Sequence, residues 1–215
     1  MTNYNMWGEN SAEEIQQGSP DQLLNRKQLN EKYSKPLIAI DRDGVLIECH
    51  DNIKTKERFI PIEGSLSAVA TIRAKGYKLA IIFDQPGISQ NKLTIDEVEE
   101  MNAHMIELFG EAGCPSIDGL LYNASDSRDD PWSKPKPRMF YRLRDEFQVP
   151  IKGGYYVGDR LVDVKMADKA KLKPILVKTG KFFEDEKKFN SYSNRPLKKK
   201  TKIFDNLLEF ARALP

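Results

Sequence analysis

The chain repeats one unit: a short apolar run stops at a polar turn and is followed by a segment of helical periodicity. The runs fall at residues 37–40, 77–83, 119–122, 154–157 and 174–177. Each is strand-length and apolar on consecutive positions, the pattern of a strand buried on both faces. Between them, residues 63–75 place Leu66, Val69, Ala70 and Ile72 at helical spacing, and Gly76 follows as a C-cap. Thr94 with Glu97 three positions on is a capping-box signature, and Val98, Met101, Met105 and Leu108 continue one apolar face. Residues 137–147 and 161–170 read as two further helices. This alternation specifies an α/β fold: a doubly wound, mainly parallel, Rossmann-type sheet flanked by helices and joined by right-handed crossovers.

The ends differ from the body. Residues 1–35 are polar, with only a loose stripe of Leu23, Leu24 and Leu29 over 21–33, and read as an N-terminal extension. Residues 36–181 form the core unit. Residues 182–215 read as a lysine-rich linker containing Lys198, Lys199 and Lys200, then an amphipathic helix over 203–214 with Phe204, Leu207, Leu208 and Ala211 on one face. A total of 215 residues suits one substantial domain. No apolar run approaches a membrane span, and the N-terminus lacks the basic and apolar regions of a secretory signal. Two cysteines, Cys49 and Cys114, build neither a disulfide framework nor a zinc site. The expectation is a cytoplasmic protein of open oligomeric state. A net charge of +2 argues against nucleic acid as a partner of the whole surface. The Lys198–Lys200 run reads as a solvated loop.

In an open parallel sheet, functional groups gather where strands end. Asp41-Arg42-Asp43-Gly44 closes the first strand, Gly158-Asp159-Arg160-Leu161-Val162-Asp163 follows the fourth, and Lys134 lies in the loop after the third. Taken alone, the first is as readily a polar turn, and the second an N-cap with a first-turn acid. Together they suggest more. Carboxylates from two strands can hold one Mg²⁺. An aspartate can attack phosphorus, with the metal and a lysine offsetting the phosphate charge. His50 and His104 are isolated, and His104 reads as a surface or boundary residue. Met101 and Met105 read as packing.

These motifs, in this order, resemble the haloacid dehalogenase (HAD) superfamily of phosphohydrolases. Within it the chain is similar to the D-glycero-D-manno-heptose 1,7-bisphosphate phosphatase and histidinol-phosphate phosphatase group, over roughly residues 36–181. The first motif is Ile38-Ala39-Ile40-Asp41-Arg42-Asp43-Gly44-Val45-Leu46, Arg42 included. The resemblance implies Asp41 as nucleophile. It implies Asp43 as general acid and then base, its backbone carbonyl on the metal. Lys134, in Lys134-Pro135-Lys136-Pro137, matches the phosphate-binding lysine. Asp159 matches a Mg²⁺ ligand and Asp163 an acid one shell further out, so the expected metal set is Asp41, Asp43 and Asp159. Gln85 and Arg160 join Lys134 in phosphate binding. Thr179-Gly180-Lys181 resembles the loop that closes the family core. The implied partner is a small phosphorylated metabolite, a sugar phosphate of the heptose bisphosphate kind. About twenty residues separate Asp43 from the helix near Glu63, too few for a large cap domain.

Two stretches depart from the family. Its second motif carries Thr or Ser and then Asn-Gln-Ser-Gly-Ile, where this chain reads Phe83-Asp84-Gln85-Pro86-Gly87-Ile88. On this reading Phe83 stands in the place of a phosphate-binding hydroxyl. The lost contact costs about 1.5–3 kcal/mol, so that Phe83→Thr with Asp84→Asn raises turnover. The second departure is the stretch before Lys134, residues 123–133, which lacks the Cys/His cluster of many relatives, so zinc is not expected. Trp132 and Arg128 read either as pocket lining or as a loop anchor. Alternatives to a phosphomonoesterase are a catalytically weakened homologue that binds a phosphorylated ligand or partner, and a polynucleotide 3′-phosphatase.

Overall fold

The computed structural model describes residues 26–50 and 52–215. Six parallel strands form one sheet: β1 (Lys35–Ile40), β2 (Tyr77–Asp84), β3 (Gly119–Asn123), β4 (Tyr155–Gly158), β5 (Lys173–Val177) and β6 (Lys202–Phe204). The spatial order is β3-β2-β1-β4-β5-β6. The chain therefore winds outward from β1 to β3, then returns to pair β4 on the other side of β1. That reversal opens a crevice beyond the carboxyl ends of β1 and β4.

The consecutive apolar runs are explained by two-sided burial. Ile38, Ile40, Leu79, Ile81 and Val157 face one layer, with Val69 and Ile72 of α2 (Ser65–Ala74) and Val98, Met101 and Met105 of α3 (Ile95–Glu111). Leu37, Ala39, Ala80, Ile82 and Tyr156 face the other. There they meet Met139, Phe140 and Leu143 of α4 (Arg138–Asp145) and Met166 and Ala167 of α5 (Leu161–Lys169). Thr94 caps α3 through the expected reciprocal box with Glu97. Gly76 follows α2 at φ +84°, a conformation only glycine adopts without strain. Between Asp43 and α2 the described residues form a short 3₁₀ segment at Lys56–Arg58 and isolated bridges Asp43–Ile47 and Ile47–Pro61, with no cap domain among them.

The tail is not a linker. The chain after residue 181 forms α6 (Phe182–Phe189), α7 (Arg195–Lys200), β6 and α8 (Leu207–Ala213). Phe182 and Phe189 are buried against Leu161, Val164 and Leu176, so a few aromatic anchors order a segment whose composition is dominated by its solvent face. The expected helix over 203–214 starts later, because Phe204 lies in β6, paired with Val177. Asn206 then caps α8 by accepting the Glu209 N–H at 3.0 Å, and α8 packs on α2. A three-residue edge strand opening on lysine is poorly visible to periodicity.

At the other end, residues 1–25, including Leu23 and Leu24, lie outside the described residues. The described part of the expected 21–33 helix is α1 (Arg26–Lys32). It belongs to the body: Tyr33 is buried beneath the Arg73 guanidinium, 3.3 Å from the ring centroid. Lys78 Nζ donates to the Tyr33 carbonyl at 2.6 Å and to Asn30 at 2.7 Å. Among the described residues no helix is long and apolar enough to cross a membrane.

Candidate active site

The end of β1 builds the centre of the crevice. Asp41 continues the ladder by donating its N–H to the Val157 carbonyl at 2.9 Å. Its Oδ1 accepts the Arg42 N–H at 2.9 Å, and its Oδ2 lies 2.8 Å from Lys134 Nζ. The same ammonium donates to Asp163 Oδ1 at 2.9 Å. The three side chains are nearly inaccessible to solvent. Burial pushes the Asp41 carboxyl well up, with Asp163 and Asp159 adding to the effect and Lys134 opposing it. Burial also works against the Lys134 charge, but Asp163 and Asp41 outweigh it and hold the ammonium above its ordinary range.

The end of β4 supplies the other carboxylates. Asp163, one turn into α5, has both oxygens committed. Oδ1 accepts from Lys134 and, at 3.2 Å, from Tyr156 Oη, while Oδ2 accepts the Arg160 N–H at 3.1 Å. Asp159 differs. Its Oδ2 accepts the Lys181 N–H at 2.6 Å, yet its Oδ1 is buried with no hydrogen-bond partner. Burial first, then Asp163, raises the Asp159 carboxyl to about 6. One oxygen from each of Asp41, Asp159 and Asp163 lies within 4.8 Å of the others. A Cβ at Gly44 or at Gly180 would collide with the Asp159 carboxylate, so two glycines let the backbone close around it. Thr179 Oγ1 donates to the Gly44 carbonyl at 2.5 Å and ties those two loops together. A buried, unpartnered carboxylate oxygen among other hard oxygen donors fits a divalent cation such as Mg²⁺.

Asp43 lines the same crevice, but its carboxylate is turned to Arg42. Nε donates to Oδ1 at 3.1 Å and Nη2 to Oδ2 at 2.9 Å, a two-point grip. Its side chain is therefore not part of the acidic cluster that Asp41, Asp159 and Asp163 form. Arg42 Nη2 also donates to Gln85 Oε1, and the guanidinium lies 3.9 Å from the Phe83 ring centroid. Phe83 is itself buried and stacked on Tyr122, with centroids 5.5 Å apart. Phe83 thus does not face the crevice; the neighbouring Asp84 does. Asp84 Oδ2 accepts the Lys134 N–H and Oδ1 accepts from Asn123 Nδ2, each at 3.4 Å. Burial pushes its carboxyl up against the pull of Lys134.

The crevice has a volume of about 410 Å³. Asp41, Asp43, Gln85, Lys134, Asp159 and Arg160 all line it, and Asp163 stands behind Lys134. Lys92 and Lys181 add positive charge at its wall. Arg160 reaches away toward Asp185, 3.5 Å from Nε. Cys49 also lines the crevice, but burial, reinforced by Asp159 and Asp43, pushes its thiol up to about 12, which removes it as a nucleophile at neutral pH. Trp132 is not in the lining; it packs on the α4 side of the core beneath Arg138 and Arg142. His104 is a boundary residue, edge-on to Phe59. Sequence reasoning missed Tyr156 as a support for Asp163 and the backbone N–H of Lys181 as a ligand to Asp159. Neither carries a side-chain signature for that role.

This fold and site define a class: phosphatases of the HAD type. A family model for HAD-like hydrolases matches residues 131–210. The chain is 35% identical over 178 residues to the D-glycero-β-D-manno-heptose-1,7-bisphosphate 7-phosphatase of Neisseria meningitidis, covering 82% of this chain and 92% of that one. It is 34% identical over 184 residues to the enzyme of that name from Pseudomonas aeruginosa, covering 84% and 98%. The crystal structure of D,D-heptose 1,7-bisphosphate phosphatase from B. bronchiseptica, complexed with magnesium and phosphate, matches with a TM-score of 0.73 at 23% identity, over 83% of this chain and 97% of that one. The chain belongs to the HAD phosphatase family.

Proposed function

We propose that the protein is a Mg²⁺-dependent phosphomonoester hydrolase that acts through an aspartyl-phosphate on a small phosphorylated sugar, heptose bisphosphate-like in kind. The observation that carries this reading is the meeting of Asp41, Asp159 and Asp163, with Lys134 joining Asp41 to Asp163 and one buried Asp159 oxygen without a partner. Asp41 and Asp159, with the Asp43 carbonyl, would hold the ion, and Asp163 would steady Lys134. Bound Mg²⁺ would supply the charge that keeps the buried carboxylates ionised and polarises the phosphate oxygens. Asp41 attacks phosphorus through a carboxylate oxygen. Lys134 holds a phosphoryl oxygen in place of part of its present contact with Asp41. Asp43 gives a proton to the leaving sugar oxygen and then takes one from the attacking water. Lys92 and Lys181 give the crevice the positive wall that a phosphorylated substrate requires. The names of the relatives support the sugar class.

The test is phosphate release from a panel of sugar phosphates and bisphosphates, an aryl phosphate and a 3′-phosphorylated oligonucleotide, with and without Mg²⁺, beside Asp41→Asn. Expected is Mg²⁺-dependent release that is highest on a heptose bisphosphate and abolished by Asp41→Asn. Equal release by the variant would overturn the nucleophile, and preference for the oligonucleotide would overturn the substrate class.

A further inference from the structure

Phe83 ends the apolar run of β2, one residue before Asp84, and its ring is not in the crevice. It forms the middle of a buried stack: Arg42 on one face at 3.9 Å, and Tyr122 on the other at 5.5 Å with an interplanar angle of 24°. Tyr122 is fixed in turn by its hydroxyl, which donates to Glu99 Oε1 at 2.6 Å. On the crevice side the Arg42 guanidinium spends one edge on both oxygens of Asp43 and shares Nη2 with Gln85. The Arg42 side chain is only 5% exposed, whereas that of Asp43 is 30% exposed. A desolvated fork therefore aims a partly exposed carboxylate, and the phenyl face supports the plane of that fork.

We infer that Phe83 is a positioning residue for the proton-transfer step, holding Arg42 so that Arg42 presents the Asp43 carboxyl to the leaving oxygen of the substrate. A threonine here has neither the area nor the flat face to support a guanidinium. This inference rests on the assignment of Asp43 as general acid in the proposed function.

Leaving-group dependence separates orientation from general packing. A nitrophenyl phosphate departs without help from an acid, whereas a sugar phosphate needs its oxygen protonated. Leaving-group release in the first turnover is measured for both substrates with wild type, Phe83→Leu, Phe83→Tyr and Arg42→Lys, with thermal unfolding recorded for each. Phe83→Leu and Arg42→Lys are expected to slow release from the sugar phosphate by about tenfold or more, part of the hundredfold or greater contribution of a general acid, with nitrophenol release within about twofold of wild type. Phe83→Tyr, which keeps the ring, is expected to retain both rates. Equal slowing of the two substrates, or an unchanged sugar-phosphate rate in a folded Phe83→Leu or Arg42→Lys, overturns the inference while leaving the phosphatase reading intact. Wild type inactive on both substrates overturns the two together.

Discussion

Lys134 and Asp41 form a buried ion pair, Nζ to Oδ2 at 2.8 Å, and the same ammonium holds Asp163 at 2.9 Å. One cation thus serves two carboxylates in a site that also contains Asp159. Its removal leaves buried negative charges facing one another. Breaking such a pair by deleting one partner costs about 3–5 kcal/mol, less whatever protonation or bound metal recovers. Lys134→Met is expected to lower the unfolding temperature and to reduce turnover at least about 100-fold, through loss of the charge that faces the phosphoryl group. Added Mg²⁺ is expected to restore part of the stability and none of the rate. Thermal unfolding and steady-state assays with and without Mg²⁺ check both.

The acidic centre sets a pH dependence of known sign. The Asp159 carboxyl stands at about 6 in the folded protein, against about 3.9 for a free aspartate, so the fold favours its protonated form. Its contribution to stability is complete below about pH 4 and is lost as the pH rises through about 6. Asp41, also raised, acts in the same sense. Metal-free protein is therefore expected to lose stability across that interval, and Asp159→Asn to flatten the loss. Mg²⁺ is expected to raise the unfolding temperature more at pH 8 than at pH 5, since protons compete for the same oxygens. Unfolding scans across pH, with chelator or with Mg²⁺, measure this.

Asp84 faces the crevice, where its Oδ2 accepts the backbone N–H of Lys134, while Phe83 does not face it. The two halves of the altered motif are thus expected to behave in opposite ways. Asp84→Asn removes a negative charge beside the phosphate and is expected to lower KM severalfold. Phe83→Thr, the change that motif comparison expects to help, instead opens a cavity beneath Arg42. It is expected to lower turnover and to destabilise by on the order of 3 kcal/mol. Separate kinetics on the two single variants decide between the readings.

Arg73 and Asp118 make a second buried pair, 2.6 Å apart and remote from the crevice. Asp118 also accepts the Leu79 N–H at 2.8 Å, and Arg73 donates to Ser116 and to the Tyr77 carbonyl, so the pair pins α2, β2 and the approach to β3. Asp118→Ala strands a buried guanidinium and is expected to cost about 3–5 kcal/mol of stability. In protein that remains folded, KM is expected to be unchanged. Chemical denaturation and Michaelis kinetics test the separation.

Much of this was legible in the sequence, for identifiable reasons. Consecutive apolar runs such as Ile38-Ala39-Ile40 announce a strand buried on two sides, and a polar turn after each run marks the sheet edge where Asp41 and Asp159 stand. Thr94 and Glu97 announce a helix start because the reciprocal bonds they make are local. The tail was misread because Phe182 and Phe189 order it through distant partners, while its lysines dominate its composition.

The sequence alone therefore determined the alternation of strands and helices, the order of the acidic and lysine loops, and the residue types available for phosphoryl chemistry. These follow from local periodicity and hydrogen bonding. Only the tertiary structure decided which oxygens meet. It turned Asp84 to the crevice and Phe83 into the core, because alternation along a strand puts neighbours on opposite faces without saying which face is which. It joined Asp41 to Asp163 through Lys134, left one oxygen of Asp159 unpartnered, and set Arg42 between Phe83 and Asp43. Apart from the bond between the neighbours Arg42 and Asp43, those contacts join residues tens of positions apart, and packing of the sheet and its helices brings them together.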